Sequence, residues 1–267
     1  MRDGKLSFYL NESDYFFDKF QSNGMSGMIY KGMPKENKTL SKILVKKNEP
    51  QFAANEFFAL RIAALLGMPV PKAWFIQRKN EYTVNNKFAV GIEYLEDLSE
   101  VTNDILYSAQ PRKEFIACNL LHICFSNTDM FQMSLTSDGH IIPFDFAECF
   151  HNSPLTIMVL LSNGDNAYEF MRSAIANNDY VMQIVSHIKC GRDSLLKQHQ
   201  VITGEEFDET AKLFAKKLAA LPDYDIIDIL TAMEEYYSKE VADYYDLYLG
   251  CVQKNIQDLL MLDSTKL

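Results

Sequence analysis

The sequence predicts an α+β fold in which a small β-rich lobe precedes a larger helical lobe. Short β-type stretches separated by turn residues fill the first third of the chain, one apolar helix interrupts them, and almost everything after about residue 155 has helical character. With 267 residues, the chain is long enough for two lobes around a cleft. We therefore predict a small lobe over 1–96 and a large lobe over 97–267, joined by a hinge near 93–98.

The small lobe combines strands with one strong helix over 51–66. Gly67 and Pro69 end this helix, because glycine adopts the conformation that follows a helix C-terminus and proline cannot continue a helix. The predicted strands cover residues 5–10, 40–46, 72–77 and 87–94. The last two are separated by polar residues and are therefore expected to pair.

The large lobe begins with a helix predicted over 111–125. A hairpin follows, with its turn at Ser137-Asp138-Gly139. Thr203-Gly204-Glu205-Glu206 has the pattern of a capped helix start, and a long amphipathic region is expected over 223–262.

Composition excludes several classes of protein. The formal net charge of −10 argues against direct binding of nucleic acid, which requires clustered lysine and arginine. The five cysteines lack CxxC spacing, which argues against disulfides and structural zinc. No apolar run approaches the roughly 18 residues that a membrane span needs, and the first residues lack a signal-peptide core. We therefore expect a cytoplasmic protein with no membrane association.

Two aspartates flank the predicted hairpin. Asp129 ends Phe125-Ser126-Asn127-Thr128-Asp129, and Asp145 follows sixteen residues later in Pro143-Phe144-Asp145-Phe146. Kinase-type phosphotransferases have this layout, in which the first aspartate orients the attacking hydroxyl and the second binds the metal on the nucleotide phosphates. The pair alone is weak evidence, so its meaning depends on the first lobe.

The first lobe supplies a candidate phosphate loop and a candidate lysine. Gly24-Met25-Ser26-Gly27 has two glycines three residues apart, which would let backbone amides approach phosphate oxygens; a simple turn is the alternative. Lys46 ends an apolar strand and is placed to reach phosphates, with a solvated strand-end lysine as the alternative.

Glu56 lies on the same face of the predicted helix as Phe52, Leu60 and Ala63. A buried carboxylate without a partner costs several kcal/mol, so we expect Glu56 to pair with Lys46. The alternative is that Glu56 lies at the solvent-exposed edge of this apolar face.

These motifs, taken in order, resemble the HipA-like Ser/Thr kinases. Asn55-Glu56 with the following Gly67-Met68-Pro69-Val70-Pro71 is similar to that family's Asn-Glu helix and its Pro-Val-Pro end. Ser126-Asn127-Thr128-Asp129 resembles its Gly-Asn-Thr-Asp catalytic motif, and Ile142-Pro143-Phe144-Asp145 resembles its metal motif. The agreement runs from about residue 20 to 150.

The resemblance implies a bilobal protein-kinase-like fold that uses ATP and Mg²⁺ to phosphorylate a Ser or Thr of a protein. It implies that Lys46 contacts the phosphates, Glu56 anchors Lys46, Asp129 is the catalytic base and Asp145 holds the metal. The other implied nucleotide-binding residues are Gly24, Ser26 and Gly27 in the phosphate loop and Glu93, Tyr94 and Leu95 at the hinge.

The chain departs from the family's D-x-H-x-x-N loop. Phe131 replaces the histidine and Ser134 replaces the metal-binding asparagine, so Ser134 and the nearby Gln132 are the candidate replacements as metal ligands. Ser126 replaces a glycine, which is tolerable if that position does not need a positive φ. The chain also lacks the family's extra N-terminal subdomain, which leaves open a separate partner that supplies it or acts like an antitoxin.

Two alternatives to a protein kinase remain. A small-molecule phosphotransferase of the aminoglycoside type would carry a histidine where the chain has Asn127, which disfavours it. A pseudokinase that binds a nucleotide or a partner is favoured by Phe131 and Ser134.

Three further expectations concern residues around these motifs. Ser22 and Ser26 are candidate sites of inhibitory self-phosphorylation, because added negative charge would repel the nucleotide. Among the histidines, only His140 is expected near the cleft. The tyrosines between 236 and 248 are expected to serve packing.

Overall fold

The computed structural model describes residues 8–20, 28–36, 39–47, 50–77, 89–129, 131–150, 173 and 179–261. The predicted phosphate loop with Gly24, Ser26 and Gly27, and the candidate phosphorylation site Ser22, lie outside these ranges. Within them, a β-sheet dominates the first hundred residues and helices dominate the rest. The predicted α+β class is confirmed, and the arrangement is consistent with a bilobal kinase-like fold.

A six-stranded sheet forms the small lobe, in the order β1-β5-β6-β4-β3-β2. Its strands are β1 (Tyr9–Asn11), β2 (Tyr15–Lys19), β3 (Met28–Pro34), β4 (Ile43–Lys47), β5 (Ala73–Gln77) and β6 (Ala89–Glu93). β1 runs parallel to β5, and every other neighbouring pair is antiparallel. The predicted pairing of β5 with β6 is confirmed.

Two of these strands have no counterpart in the sequence prediction. β2 reads Tyr-Phe-Phe-Asp-Lys, and β3 contains Gly32 and ends at Pro34. Neither segment alternates cleanly between apolar and polar residues, and glycine and proline are depleted in strands. These two strands are therefore held in the sheet by their pairing, β2 with β3 and β3 with β4, and not by their local sequence pattern.

The helix α1 (Pro50–Leu65) packs on β5 and β6. The Phe57 and Phe75 rings stack with centroids 3.8 Å apart, and both side chains are fully buried. Burial of such a side chain contributes roughly 1.5–3 kcal/mol. Gly67 follows α1 with a φ of +74°, which is the left-handed conformation that ends helices, as predicted.

The large lobe is built on a core formed by helices α2, α5 and α7, with a separate two-stranded hairpin, β7 (Gln132–Leu135) and β8 (Ile141–Phe144). Its helices are α2 (Ala109–Cys124), α3 (Asp179–Met182), α4 (Ile184–Gln198), α5 (Gly204–Ala219), α6 (Asp223–Tyr236) and α7 (Lys239–Met261), and short 3₁₀ helices lie at Glu12–Asp14 and Ile105–Tyr107. In the parts of the chain that the structure describes, no helix is long and apolar enough to cross a membrane.

Two local features of the large lobe can be compared with their sequence patterns. Thr203 caps α5, because its side chain accepts a hydrogen bond from the Glu206 N–H at 3.2 Å, as predicted. The amphipathic region predicted over 223–262 is divided into α6 and α7. Tyr237 leaves the helical conformation, and the Ser238 hydroxyl accepts from the Val241 N–H, so a new helix starts there.

Candidate active site

Lys46, Glu56 and Asp145 meet between the two lobes. The Lys46 Nζ lies 3.2 Å from Glu56 Oε1 and 3.3 Å from Asp145 Oδ1. β4 delivers the lysine, α1 the glutamate and the end of β8 the aspartate. Glu56 is only 1% exposed, and its second oxygen accepts from the Phe146 N–H at 3.1 Å. The predicted pairing of Lys46 with Glu56 is therefore present, and the pair extends to the second aspartate of the sequence pattern.

The charge of Lys46 is supported by both carboxylates. Burial works against the charged ammonium, but Glu56 and Asp145 outweigh it and hold the pKa of Lys46 above its ordinary value. Lys46 is thus a cation fixed in place at neutral pH. A fixed cation at this point is suited to binding a phosphate group.

Asp145 turns the chain out of β8 and into the site. Its φ is +61°, in the left-handed region, which aspartate adopts more readily than most other side chains. Its second carboxylate oxygen accepts from the Gln132 Nε2 at 3.1 Å. Both oxygens of Asp145 are therefore engaged, one by a lysine and one by an amide.

Gln132 and Ser134 were the two candidate replacements for the family's metal-binding asparagine. Gln132 lies opposite Phe144 in the β7–β8 ladder and so reaches Asp145, whereas Ser134 lies opposite Ile142, about 7 Å further along the strand. An Asp145 carboxylate beside the Gln132 amide offers hard oxygen atoms, once the amide turns its oxygen inward. Such a donor set fits Mg²⁺.

Asn127 connects the loop of Asp129 to Asp145. Its Oδ1 accepts from the Asp129 N–H at 3.1 Å, and its Nδ2 donates to the Asp145 carbonyl at 3.2 Å. Asp129 itself is exposed, so an incoming hydroxyl group can reach its carboxylate. The two predicted aspartates therefore belong to one hydrogen-bonded unit, which Asn127 connects through their backbones.

Ser126 does not meet the condition under which its replacement of a glycine was expected to be tolerable. Its φ is +51°, so the position that is glycine in the resembled motif does require the left-handed conformation. The Ser126 hydroxyl lies 2.6 Å from the Tyr248 hydroxyl, and both side chains are buried. This hydrogen bond offsets part of the backbone strain and explains how a serine is accommodated.

His122 lies beside the loop that carries Asp129, and the sequence analysis did not identify it as a site residue. It was expected to be a surface or structural histidine, with only His140 near the cleft. His140 pairs with Glu114 at 2.7 Å and lines the cavity beside the hinge, so it does lie near the cleft, but His122 lies near the site as well. His122 is fully buried, and burial lowers its pKa to about 4. A polar residue on the apolar face of α2, just before the loop, was the available signal.

Glu148 is a third carboxylate near the loop. Its backbone carbonyl accepts from the Thr128 N–H at 3.0 Å, which connects the segment after Asp145 to the loop of Asp129. Burial, reinforced by Asp129 and Asp145, raises the pKa of Glu148. Glu148 therefore adds negative charge beside Asp129 and Asp145.

The hinge residues Glu93, Tyr94 and Leu95 differ in whether their backbone N–H groups form hydrogen bonds within the protein. The Glu93 N–H donates to Lys72 and the Tyr94 N–H donates to Lys42, both at 2.8 Å. Among the described residues, the Leu95 N–H has no such acceptor. Of the three, Leu95 is therefore the one with a donor available to a ligand.

A cavity of about 680 Å³ lies beside this hinge. The 93–97 hinge and the turn at 136–138 line it together with Ser41, Lys42 and Pro69, but its lining does not include Lys46 or Asp145. The cavity also includes His140 and Ile142 in its lining, and Ile142 belongs to β8, the strand that leads to Asp145.

The tyrosines of α7 form hydrogen bonds with residues next to the candidate site. They are buried, as expected for packing residues, but their hydroxyls also form specific hydrogen bonds. Tyr244 donates to the Phe150 carbonyl at 2.7 Å, and Tyr245 donates to Asn55 Oδ1 at 2.6 Å. With the contact between Tyr248 and Ser126, one helix thus supports α1 and both aspartate-bearing loops.

Comparison with known proteins gives similarities to solved structures alone. No family model and no curated protein matches the chain. Among solved structures, the proinflammatory kinase CtkA of Helicobacter pylori is 15% identical in sequence, covers 93% of this chain and 97% of its own, and has a TM-score of 0.47. The side-chain geometry at Lys46, Glu56 and Asp145, rather than this similarity, is the basis for the function given below.

Proposed function

We propose that the protein is an ATP- and Mg²⁺-dependent, HipA-like kinase that transfers a γ-phosphoryl group to a Ser or Thr hydroxyl of a protein substrate. One observation carries the proposal: Lys46 lies within 3.3 Å of both Glu56 and Asp145, which come from different elements. A strand lysine held by a helix glutamate beside a metal-binding aspartate is the arrangement that kinases use to hold nucleotide phosphates.

Each residue has a separate role in this proposal. Lys46 binds the phosphates, Glu56 fixes Lys46, and Asp145 with Gln132 holds Mg²⁺, which neutralises charge on the phosphate oxygens. Asp129 orients the substrate hydroxyl and accepts its proton. The hydroxyl oxygen bonds to the γ-phosphorus while the bond to the β-phosphate oxygen breaks, and ADP leaves with that electron pair.

The nucleotide lies in the cleft at Lys46 and Asp145, with its adenine directed to the hinge. The N–H of Leu95 is the donor for the base. Gly24, Ser26 and Gly27, which the resemblance assigns to the phosphates, lie outside the described residues. The cavity beside the hinge, whose lining includes Leu95, would receive the adenine.

Calorimetric titration of ATP, with and without Mg²⁺, tests the proposal. We expect metal-dependent binding that Asp145→Ala abolishes and that the matched control Asp258→Ala, an exposed residue of α7, leaves unchanged. Asp129→Ala should retain ATP binding but lose phosphoryl transfer to protein. Metal-dependent binding that survives Asp145→Ala would contradict the assigned site.

A pseudokinase is the second candidate, and one observation favours it. Both carboxylate oxygens of Asp145 are engaged, and Ser134 lies too far along β7 to replace the asparagine directly. The double substitution Phe131→His and Ser134→Asn separates the two candidates. A large gain in turnover would mark the natural protein as a degenerate kinase, whereas little change would show that Gln132 suffices.

A further inference from the structure

One imidazole contacts both of the loops that carry the aspartates. The His122 ring stacks on Phe131, with centroids 4.9 Å apart, and on Phe146, with centroids 4.8 Å apart. Phe131 follows Asp129 by two residues, and Phe146 follows Asp145 directly. His122 is fully buried, so both rings pack on it away from water.

The hydrogen bonds of Asn127 determine which nitrogen of His122 is unprotonated. The Asp129 N–H needs an acceptor, which identifies the Asn127 atom facing it as Oδ1. The Asn127 Nδ2 therefore faces the Asp145 carbonyl at 3.2 Å and the His122 Nδ1 at 2.9 Å. An amide nitrogen only donates, so Nδ1 accepts and the proton of the neutral ring lies on Nε2.

We infer that His122 is a positioning residue for phosphoryl transfer, which fixes the Asn127 amide by accepting its hydrogen bond and thereby orients Asp129 relative to the Asp145 backbone. Phe131, which departs from the resembled loop, then supports this histidine through stacking. The inference extends the proposed function and rests on it only for its kinetic consequence.

Spectra of the natural protein labelled with ¹⁵N-histidine test the hydrogen bond without any substitution. At pH 7 we expect His122 to be neutral with its proton on Nε2 and with Nδ1 as an acceptor. A proton on Nδ1 would overturn the inference, because the Asn127 amide could not then donate to it.

Two substitutions separate the acceptor from the ring. His122→Phe keeps an aromatic ring that can stack but has no acceptor, whereas His122→Asn loses the ring and keeps an oxygen near the place of Nδ1. Hydrogen exchange at the Asp129 N–H should become about tenfold faster in His122→Phe and stay near the natural rate in His122→Asn. Equal exchange in the natural protein and His122→Phe would refute the role.

Kinetics give the functional consequence. Because small displacements of catalytic groups are costly, we expect kcat to fall at least about tenfold in His122→Phe, while KM for ATP changes less than about twofold. His122→Asn should recover most of kcat; a loss as large as that of His122→Phe would assign His122 to packing alone. If the natural protein transfers no phosphate, the proposed function fails, while the tautomer and the exchange rates still decide the inference.

Discussion

Ser126 shows how one residue accommodates a backbone that disfavours it. A non-glycine residue with a φ of +51° carries a strain of about 1–2 kcal/mol. Its hydroxyl gains a buried partner in Tyr248, which a glycine could not provide. The strain and the hydrogen bond are therefore coupled through α7.

A double-mutant cycle on Ser126 and Tyr248 measures this coupling. Tyr248→Phe should lower the free energy of unfolding by about 1–2 kcal/mol, because it leaves the buried Ser126 hydroxyl without its partner. In a Ser126→Gly background, the same change should cost about 1 kcal/mol less. Denaturant unfolding of the four proteins gives the values, and strictly additive effects would contradict the coupling.

His140 makes the stability of the β7–β8 hairpin depend on pH. The hydrogen-bonded Glu114 raises the pKa of His140, with Asp138 adding to the effect, while Gln110 faces the same ring. A folded-state pKa above the unfolded one means that the histidine stabilises the fold fully below about pH 6.5. That contribution is lost as the pH rises through the folded-state pKa.

Denaturant unfolding at several pH values checks this dependence. The natural protein should lose stability relative to His140→Gln as the pH rises from 6 to 9. Glu114→Gln, which keeps a side chain of similar shape without its charge, should remove the same dependence. Parallel stability curves for all three proteins would exclude the ion pair as the cause.

α1 is fixed at its middle by Asn55 as well as by Glu56. The Asn55 side chain donates to the carbonyls of Ala147 and Cys149 at 2.7 and 2.9 Å and accepts from Tyr245. Asn55 is 1% exposed, so these groups have no access to water as an alternative. The helix is thereby bound to the segment that follows Asp145.

Asn55→Ala should lower the free energy of unfolding by about 3 kcal/mol or more, because it leaves several buried polar groups unsatisfied. Asn119→Ala is the matched control, since Asn119 is half-buried and donates to the Phe115 carbonyl of its own helix. Its cost should stay within about 1 kcal/mol. Equal losses in the two variants, measured by denaturant unfolding, would contradict the assigned role of Asn55.

The elements that the sequence predicted well are those with local signals. α1 was expected over 51–66 and spans Pro50–Leu65, because apolar residues continue along it and Gly67 and Pro69 end it. The break at Tyr237 between α6 and α7 was not predicted, since no glycine or proline marks it. Tertiary packing decides such positions, and periodicity does not report it.

At the scale of the whole molecule, the two lobes are joined by the Lys46–Asp145 contact. Lys46 belongs to the sheet and Asp145 to the hairpin, 99 residues apart. The same lysine compensates the fully buried Glu56. Lys46 therefore contributes to folding as well as to the proposed chemistry.

Lys46→Met should lower the free energy of unfolding by about 3–5 kcal/mol, because it leaves the buried charge of Glu56 without a cation. The double variant Lys46→Met with Glu56→Gln should regain part of that loss, since the amide carries no charge. Thermal or denaturant unfolding gives both values. A double variant less stable than Lys46→Met would contradict this account.

Like the elements of the fold, the residues of the candidate site fall into those that the sequence predicts and those that it does not. Lys46, Glu56, Asp129 and Asp145 could be predicted, because each combines a charged residue with an apolar element and a characteristic order along the chain. His122 and the α7 tyrosines could not, since they come from positions that look like core in the sequence and act through contacts made only after folding. The preference for Gln132 over Ser134 depended on strand register, which sequence spacing leaves open.

The tyrosines of α7 also set the order in which the site is completed during synthesis. Tyr245 follows its partner Asn55 by 190 residues. At roughly 5–20 residues per second, a ribosome makes it about 10–40 seconds later. Until then, α1 and the loop of Asp129 lack the tyrosine hydroxyls that hydrogen-bond to them. A nascent chain therefore contains Lys46, Glu56, Asp129 and Asp145 before the contacts that support the candidate site can form. If the proposed function holds, we expect no phosphoryl transfer before α7 has been made.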